Sequence, residues 1–179
     1  MSTDPPQPTP RQCGSCVICC KLLEVIALDK PVGRLCQHAG PAGCGRYETR
    51  PAECRHFRCL WLQGMLGDDD RPDRMRVVFW AEALDGAAPA AGQPAPLDPS
   101  RVQIYAAEDF PGAASRSKRA RQIIRGFLAR GFKVTLRNEQ HRVQLSGDGR
   151  ALTSFVDPQD PLKRRISLKV AQVAGRHNF

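Results

Sequence analysis

All eight cysteines of this 179-residue chain fall at or before Cys59, leaving the remaining two thirds without a thiol. The first four form a C-x2-C-x2-C-C run, Cys13, Cys16, Cys19 and Cys20, and Cys36, Cys44, Cys54 and Cys59 follow. A C-x2-C pair turns two thiolates toward one point across a short backbone loop, which is how a chain supplies half of a tetrahedral zinc site. Cysteines this dense mean either disulfides or metal and redox chemistry, and the redox compartment decides between them. Residues 1–12 are Pro-rich, carry Asp4 and Arg11 and contain no apolar core, so no secretory signal is read there. No stretch approaches the roughly 18–20 apolar residues of a bilayer-crossing helix. The expected compartment is cytoplasmic, with no membrane partner and with the thiols kept reduced.

Four thiolates saturate one structural zinc. Eight cysteines therefore complete two sites, or one site with four spare thiols, and the spacing leaves both open. Side chains of neighbours such as Cys19 and Cys20 diverge, so the pair faces two metals, or one bridges, or one is a buried thiol. Iron competes with zinc, since C-x2-C-x2-C also begins the bacterial ferredoxin run, whose fourth cysteine follows a three-residue spacer and precedes Pro. Here Cys20 follows at once, and neither Cys54 nor Cys59 precedes Pro. Zinc is preferred, with iron or an iron–sulfur cluster as the alternative. His38 and His56 lie near thiols, but eight cysteines leave little call for them as ligands. Lys21, Arg46, Arg50, Arg55 and Arg58 interleave with the cysteines and suit the negative charge of a four-thiolate site, formally about −2. A solvated basic surface has the same pattern.

The C-x2-C-x2-C-C run followed by CGRYETRPAECRHF, from Cys44 to Phe57, resembles the CxxCxxCC cysteine-cluster family, described as a zinc- or iron-chelating domain. The likeness covers about residues 13–59. It implies ligands at Cys13, Cys16, Cys19, Cys20, Cys36, Cys44 and Cys54, with Tyr47, Arg50, Pro51, Arg55 and Phe57 in support and Cys59 where a further cysteine is sometimes found. The short interval between Cys20 and Cys36 departs from the family by lacking room for a helical insert. The family label names chelation and no reaction.

Beyond the cysteines, residues 75–83 (MRVVFWAEA) and 101–106 (RVQIYA) have the composition of strands, joined by an Ala/Pro/Gly-rich loop over 86–100. Asp68, Asp69 and Asp70 read as a loop. Ala120, Ile123, Ile124, Phe127 and Leu128 mark one face of a helix, with Ser115 or Ser117 as N-cap and Gly131 as its stop. Residues 132–136 and 141–145 read as a hairpin, and Ile166, Val170 and Val173 predict a terminal helix over 162–174. The sum is an α+β protein: a disordered segment 1–12, a metal-clamped cysteine module of short helices and loops over 13–62, and a small mixed region over 63–179 with about four strands and one or two helices.

The formal net charge is +9, and it is mainly C-terminal. Arg116, Lys118, Arg119, Arg121 and Arg125 sit on or beside the central helix opposite its apolar stripe, so a nucleic acid or an acidic protein is the alternative partner to a metal ion. Scarce aromatics argue against single-strand stacking. Thiol or iron redox chemistry is a third class, with no thioredoxin-type strand–helix pattern around Cys13 and Cys16 and no base beside the cysteines. No catalytic residue is assigned, and a non-catalytic metal-binding role is expected.

Overall fold

The computed structural model describes residues 11–84, 97–148 and 150–156, with two short strands at 164–165 and 171–172. Two helical turns lead in, α1 (Ile18–Leu22) and α2 (Ala52–His56), with a small hairpin between them from β1 (Ala39–Gly40) and β2 (Gly43–Cys44). The short α3 (Pro72–Met75) then feeds β3 (Val77–Ala83), which pairs antiparallel with β4 (Val102–Glu108). After β4 the chain crosses over through α4 (Ala113–Arg116) and α5 (Lys118–Ala129) to β5 (Val134–Arg137), which lies parallel to β4. A helical crossover is what a parallel pair requires, since a tight hairpin cannot reverse the chain twice. β6 (His141–Leu145) and β7 (Arg150–Val156) add antiparallel strands, and β8 (Arg164–Arg165) and β9 (Ala171–Gln172) both pair with β7. The sheet order is β3-β4-β5-β6-β7-β8, with β9 also on β7.

The chain thus has both helices and strands, as expected, but the sheet holds seven strands where about four were expected. The expected terminal helix is also corrected. Within 162–174 the described residues 164–165 and 171–172 are strands, because the open edge of β7 offers backbone partners that helical spacing alone does not reveal. The rest of that segment, most of the 86–100 loop and residues 1–10 of the expected disordered segment lie outside the described residues. Arg11 is anchored, donating to the carbonyls of Trp61 and Leu66 at 2.7 and 2.8 Å and pairing with Asp68 at 2.5 Å.

Alternation along β3 sends successive side chains to opposite faces of the sheet. Val77 and Phe79 join Ile104, Ala106, Val134, Leu136 and Leu145 against Ala120, Ile123, Ile124 and Phe127 of α5. The helix begins where the Ser117 hydroxyl accepts from the Ala120 N–H at 3.1 Å. It ends at Gly131, whose φ of +84° lets Gly131 donate to the Leu128 carbonyl and Phe132 to the Phe127 carbonyl, a double bond pattern that caps orphan carbonyls. On the opposite face, Val78, Trp80 and Ala107 pack against Ile18, Leu22, Cys16 and Cys59. The cysteine-bearing segment is docked on the sheet, not strung beside it.

Asp70, expected in a solvent loop, is buried at the end of a single helical turn. It receives the Arg119 guanidinium through two bonds of 2.5 and 2.8 Å and the Gly67 N–H at 2.8 Å. The Arg119 hydrogen bond above all holds the Asp70 carboxyl below its usual value. A lowered folded-state pKa contributes stability that is present above about pH 4 and is lost as pH falls through the lower value. Asp70→Asn should cost about 1–2 kcal/mol at pH 7, less than a sealed pair because Arg119 is half exposed. Urea titrations of both proteins should show that difference shrinking below about pH 4. A difference constant from pH 7 to pH 3 would refute the assignment.

Candidate metal centre

The first C-x2-C pair is closed into a turn by the Cys16 N–H, which donates to the Cys13 carbonyl at 3.0 Å. Gly14 takes a φ of +54° within it. The turn is seated on the β1–β2 hairpin, where the Gly43 Cα faces the Gly14 carbonyl so closely that a Cβ at Gly43 would overlap it. Gly43 also has a φ of +109°, so both strain and space require glycine there. Cys44 follows directly, brought beside the turn by that contact.

From this turn the chain enters α1, whose buried Ile18 and Leu22 face the sheet. Cys13, Cys16 and Cys19 then line a cavity of about 20 Å3, closed by Cys59, Trp61, Leu62, Pro72 and Val78. The backbone directs an N–H group at one of these sulfurs: Leu62 donates to Cys59 Sγ at 3.4 Å. An amide aimed at sulfur from three residues downstream stabilises a thiolate. Tyr47, which counters the effect of burial on the Cys13 thiol, lies under the Arg50 guanidinium at 3.6 Å.

Burial raises the Cys13 and Cys16 thiols and pushes Cys59 up to about 11. The Cys19 thiol is raised by donating its proton to Cys20, and the same hydrogen bond lowers Cys20. Thiols held protonated by burial give up their protons when a cation replaces them, so ligation here is proton-releasing. All eight cysteines are free thiols. Among the described residues no three or more Cys, His, Asp or Glu side chains are grouped closely enough to hold a metal ion. What the residues offer is soft sulfur beside a small cavity, the ligand class that zinc and iron take.

Cys20, Cys36, Cys44 and Cys54 do not line that cavity; Cys36 is buried and the other three are half-buried. The Cys36 N–H donates to the Cys20 carbonyl at 3.0 Å, and the Ala39 N–H donates to the Cys36 carbonyl at 2.9 Å. Ala39 stands opposite Cys44 in the hairpin. Cys54 rides on α2, and Glu53 beside it accepts from the Ala27 N–H at 3.4 Å, tying α2 to the turn that precedes Lys30.

The cations expected around the ligands are mostly used otherwise. Lys21 pairs with the buried Asp109 at 2.8 Å, and Arg76 completes that pair from the sheet side. Arg46 lies 3.4 Å from His38 and Arg55 donates to the Arg50 carbonyl, whereas the Arg50 charge acts on Cys13 and Cys20. His56 is exposed at the end of α2. Lys30, which the spacing did not single out, is the buried cation of the region. It is only 5% exposed and donates to the carbonyls of Lys21, Leu23 and Pro31. Its one sequence signal was its place near the middle of the Cys20–Cys36 interval, between Lys21 and Arg34.

On the basic helix, Arg119 is held by Asp70, Arg121 donates to the Ser115 carbonyl, and Arg116 lies 5.6 Å from the Phe110 ring centre. Lys118 and Arg125 are exposed. Among the described residues no helix is long and apolar enough to cross a membrane. No protein-family model matches the chain, and no curated protein or solved structure matches it.

Proposed function

We propose that residues 13–62 form a thiolate metal-binding module and that the ion it holds, zinc ahead of iron, is a structural clamp without chemistry of its own. The observation that carries this reading is the meeting of Cys13, Cys16 and Cys19 with the distant Cys59 around one cavity of about 20 Å3. That space suits an ion and is far below the few hundred Å3 of an organic ligand pocket. The Leu62 N–H supplies Cys59 with the kind of hydrogen bond that metal-bound thiolates need. Zinc would supply four strong bonds tying the first turn and α1 to the start of the sheet. The likeness to the CxxCxxCC cysteine-cluster family supports the same reading. Nucleic acid is the weaker alternative, because Arg119 and Arg121, two of the five cations it needs, are engaged within the fold.

Elemental analysis and an absorption spectrum of protein purified without oxygen from cells given both metals test this reading. Colourless protein with zinc is the expected result, while iron with visible absorption would make the cluster a redox centre. Cys16→Ser and Cys54→Ser should each lower metal content and thermal stability together, since binding supplies folding energy. Folded, soluble wild-type protein free of both metals would end the proposal.

A further inference from the structure

We infer that the sheet face on which the cysteine segment docks also carries a phosphate-binding site, in which Arg137 and Arg142 hold a phosphate dianion across two adjacent strands. The site involves no thiol and does not depend on a bound metal.

The pleat sets the placement, because residues opposite one another on neighbouring strands share a face. Val78, Trp80 and Ala107 lie on the face toward the cysteine segment. Trp80 pairs with Tyr105 across β3 and β4, and Ala107 pairs with Arg137 across β4 and β5. Arg137 in turn stands directly opposite Arg142 on β6. Two guanidiniums therefore leave one face from opposed positions, where like charges repel. Burial lowers the Arg137 guanidinium from its ordinary value, the Glu82 carboxylate opposes that, and the Arg142 charge adds to it.

An aromatic pair holds the two cations in place. Trp80 and Tyr105 stack at 5.3 Å, with their planes 17° apart. Arg137 lies over the indole at 4.5 Å and Arg142 over the phenol ring at 5.4 Å, donating to the Tyr105 hydroxyl at 3.3 Å. A ring face attracts a guanidinium without neutralising it. Among the described residues Arg137 makes no ion pair. Glu82 is exposed and already accepts from the indole N–H at 2.7 Å. The adjoining surface is polar, since Thr135 accepts from Gln103 and Gln144 stands opposite Thr135.

The ligand class follows from charge and shape. A guanidinium fork offers parallel N–H donors that match phosphate oxygens. Two forks carry two positive charges, and a phosphomonoester carries about −1.5 to −2 at pH 7, whereas a phosphodiester or a lone carboxylate carries half as much. Trp80 is 5% exposed and covered by Tyr105 and Arg137, so it gives a nucleic-acid base no ring to stack on. Free phosphate and the phosphate of a small monoester share the required chemistry.

Isothermal titration calorimetry of the full reduced chain with inorganic phosphate and with glycerol phosphate tests the site. Saturable binding of at least one is expected, and tighter binding of glycerol phosphate would identify a monoester as the source. Arg137→Gln and Arg142→Gln should each weaken it at least tenfold, and Lys118→Gln, which removes an exposed cation on α5, should leave it unchanged. In a Trp61→Phe background, where Trp80 is the remaining tryptophan, its emission should change along the same isotherm. Arg142→Lys keeps the charge and loses the fork, so it should still weaken binding severalfold, and it decides the matter should a glutamine variant fail to fold. No binding of either compound, or equal weakening by Lys118→Gln, would overturn the site. Binding of a single-stranded oligonucleotide without terminal phosphates, in the absence of binding by both small phosphates, would overturn it in favour of a nucleic-acid contact.

Discussion

Trp80→Ala is expected to destabilise the protein by about 3–5 kcal/mol, the range for deleting a buried aromatic side chain. Trp80 is 5% exposed and joins the cysteine-bearing segment to the sheet. Its ring meets Phe57 edge-on at 5.8 Å, stacks on Tyr105 at 5.3 Å and lies under the Arg137 guanidinium at 4.5 Å. Phe57 follows α2, so removing the indole leaves that helix without its aromatic seat, while Ile18 and Leu22 lose part of their floor. The indole N–H also donates to Glu82 at 2.7 Å, and its loss returns that carboxylate to water at little cost. Phe79→Ala should cost a similar amount through the other face, where α5 packs. The two differ in what else they disturb. Trp80→Ala should weaken metal retention along with stability, whereas Phe79→Ala should leave metal per folded chain unchanged. Urea unfolding with metal analysis of the folded fraction measures both, and equal metal loss in the two variants would show that Trp80 has no special place under the cysteine segment.

That neighbouring residues serve different layers explains what the sequence could and could not reveal. The β-branched and aromatic content of VVFWAEA identifies a strand, and the spacing from Ala120 to Leu128 with Ser117 and Gly131 at its ends identifies a helix, because both signals are local. Pairing is not local. The parallel register of β4 on β5 depends on the α4–α5 crossover, and the spacing of Ile166, Val170 and Val173 gives no hint that residues 171–172 pair with β7. β7 itself did carry a signal, a Gly147-Asp148-Gly149 turn before a run containing Thr153, Phe155 and Val156. In the same way, three consecutive aspartates look like one solvated loop until Arg119, 49 residues on, selects Asp70 for burial. The cysteine spacing pairs neighbouring sulfurs, but it gives no sign that Cys13, Cys16 and Cys19 share a cavity with the distant Cys59. Lys30 escaped notice because a single lysine has no periodicity.

Withdrawing the proposed metal ion is expected to have the largest effect of any perturbation. Structural zinc contributes apparent binding energies of about 10–16 kcal/mol in small modules, more than the whole stability of many domains. The loss should nonetheless be uneven. The core between α5 and the sheet contains no cysteine, and its Phe79, Ile104, Ile124, Phe127 and Phe132 stay packed whatever happens at the thiols. The opposite layer has α1, Cys16 and Cys59 as its cover, and the segments between them are short helical turns and a two-residue hairpin with little apolar burial of their own. Without a clamp, only Ile18, Leu22 and the Lys21–Asp109–Arg76 cluster hold that cover down. Chelation under reducing conditions should therefore keep most of the far-ultraviolet circular dichroism. Tryptophan emission should shift to the red as Trp80 and Trp61 meet water, and trypsin should cut at Arg46, Arg50, Arg55 and Arg58 well before it cuts the sheet. Restoring zinc should reverse both changes. If stripped protein kept its emission maximum and its resistance to trypsin, hydrophobic docking on Trp80 would suffice to hold the cysteine segment, and the bound ion would be cargo and not a clamp.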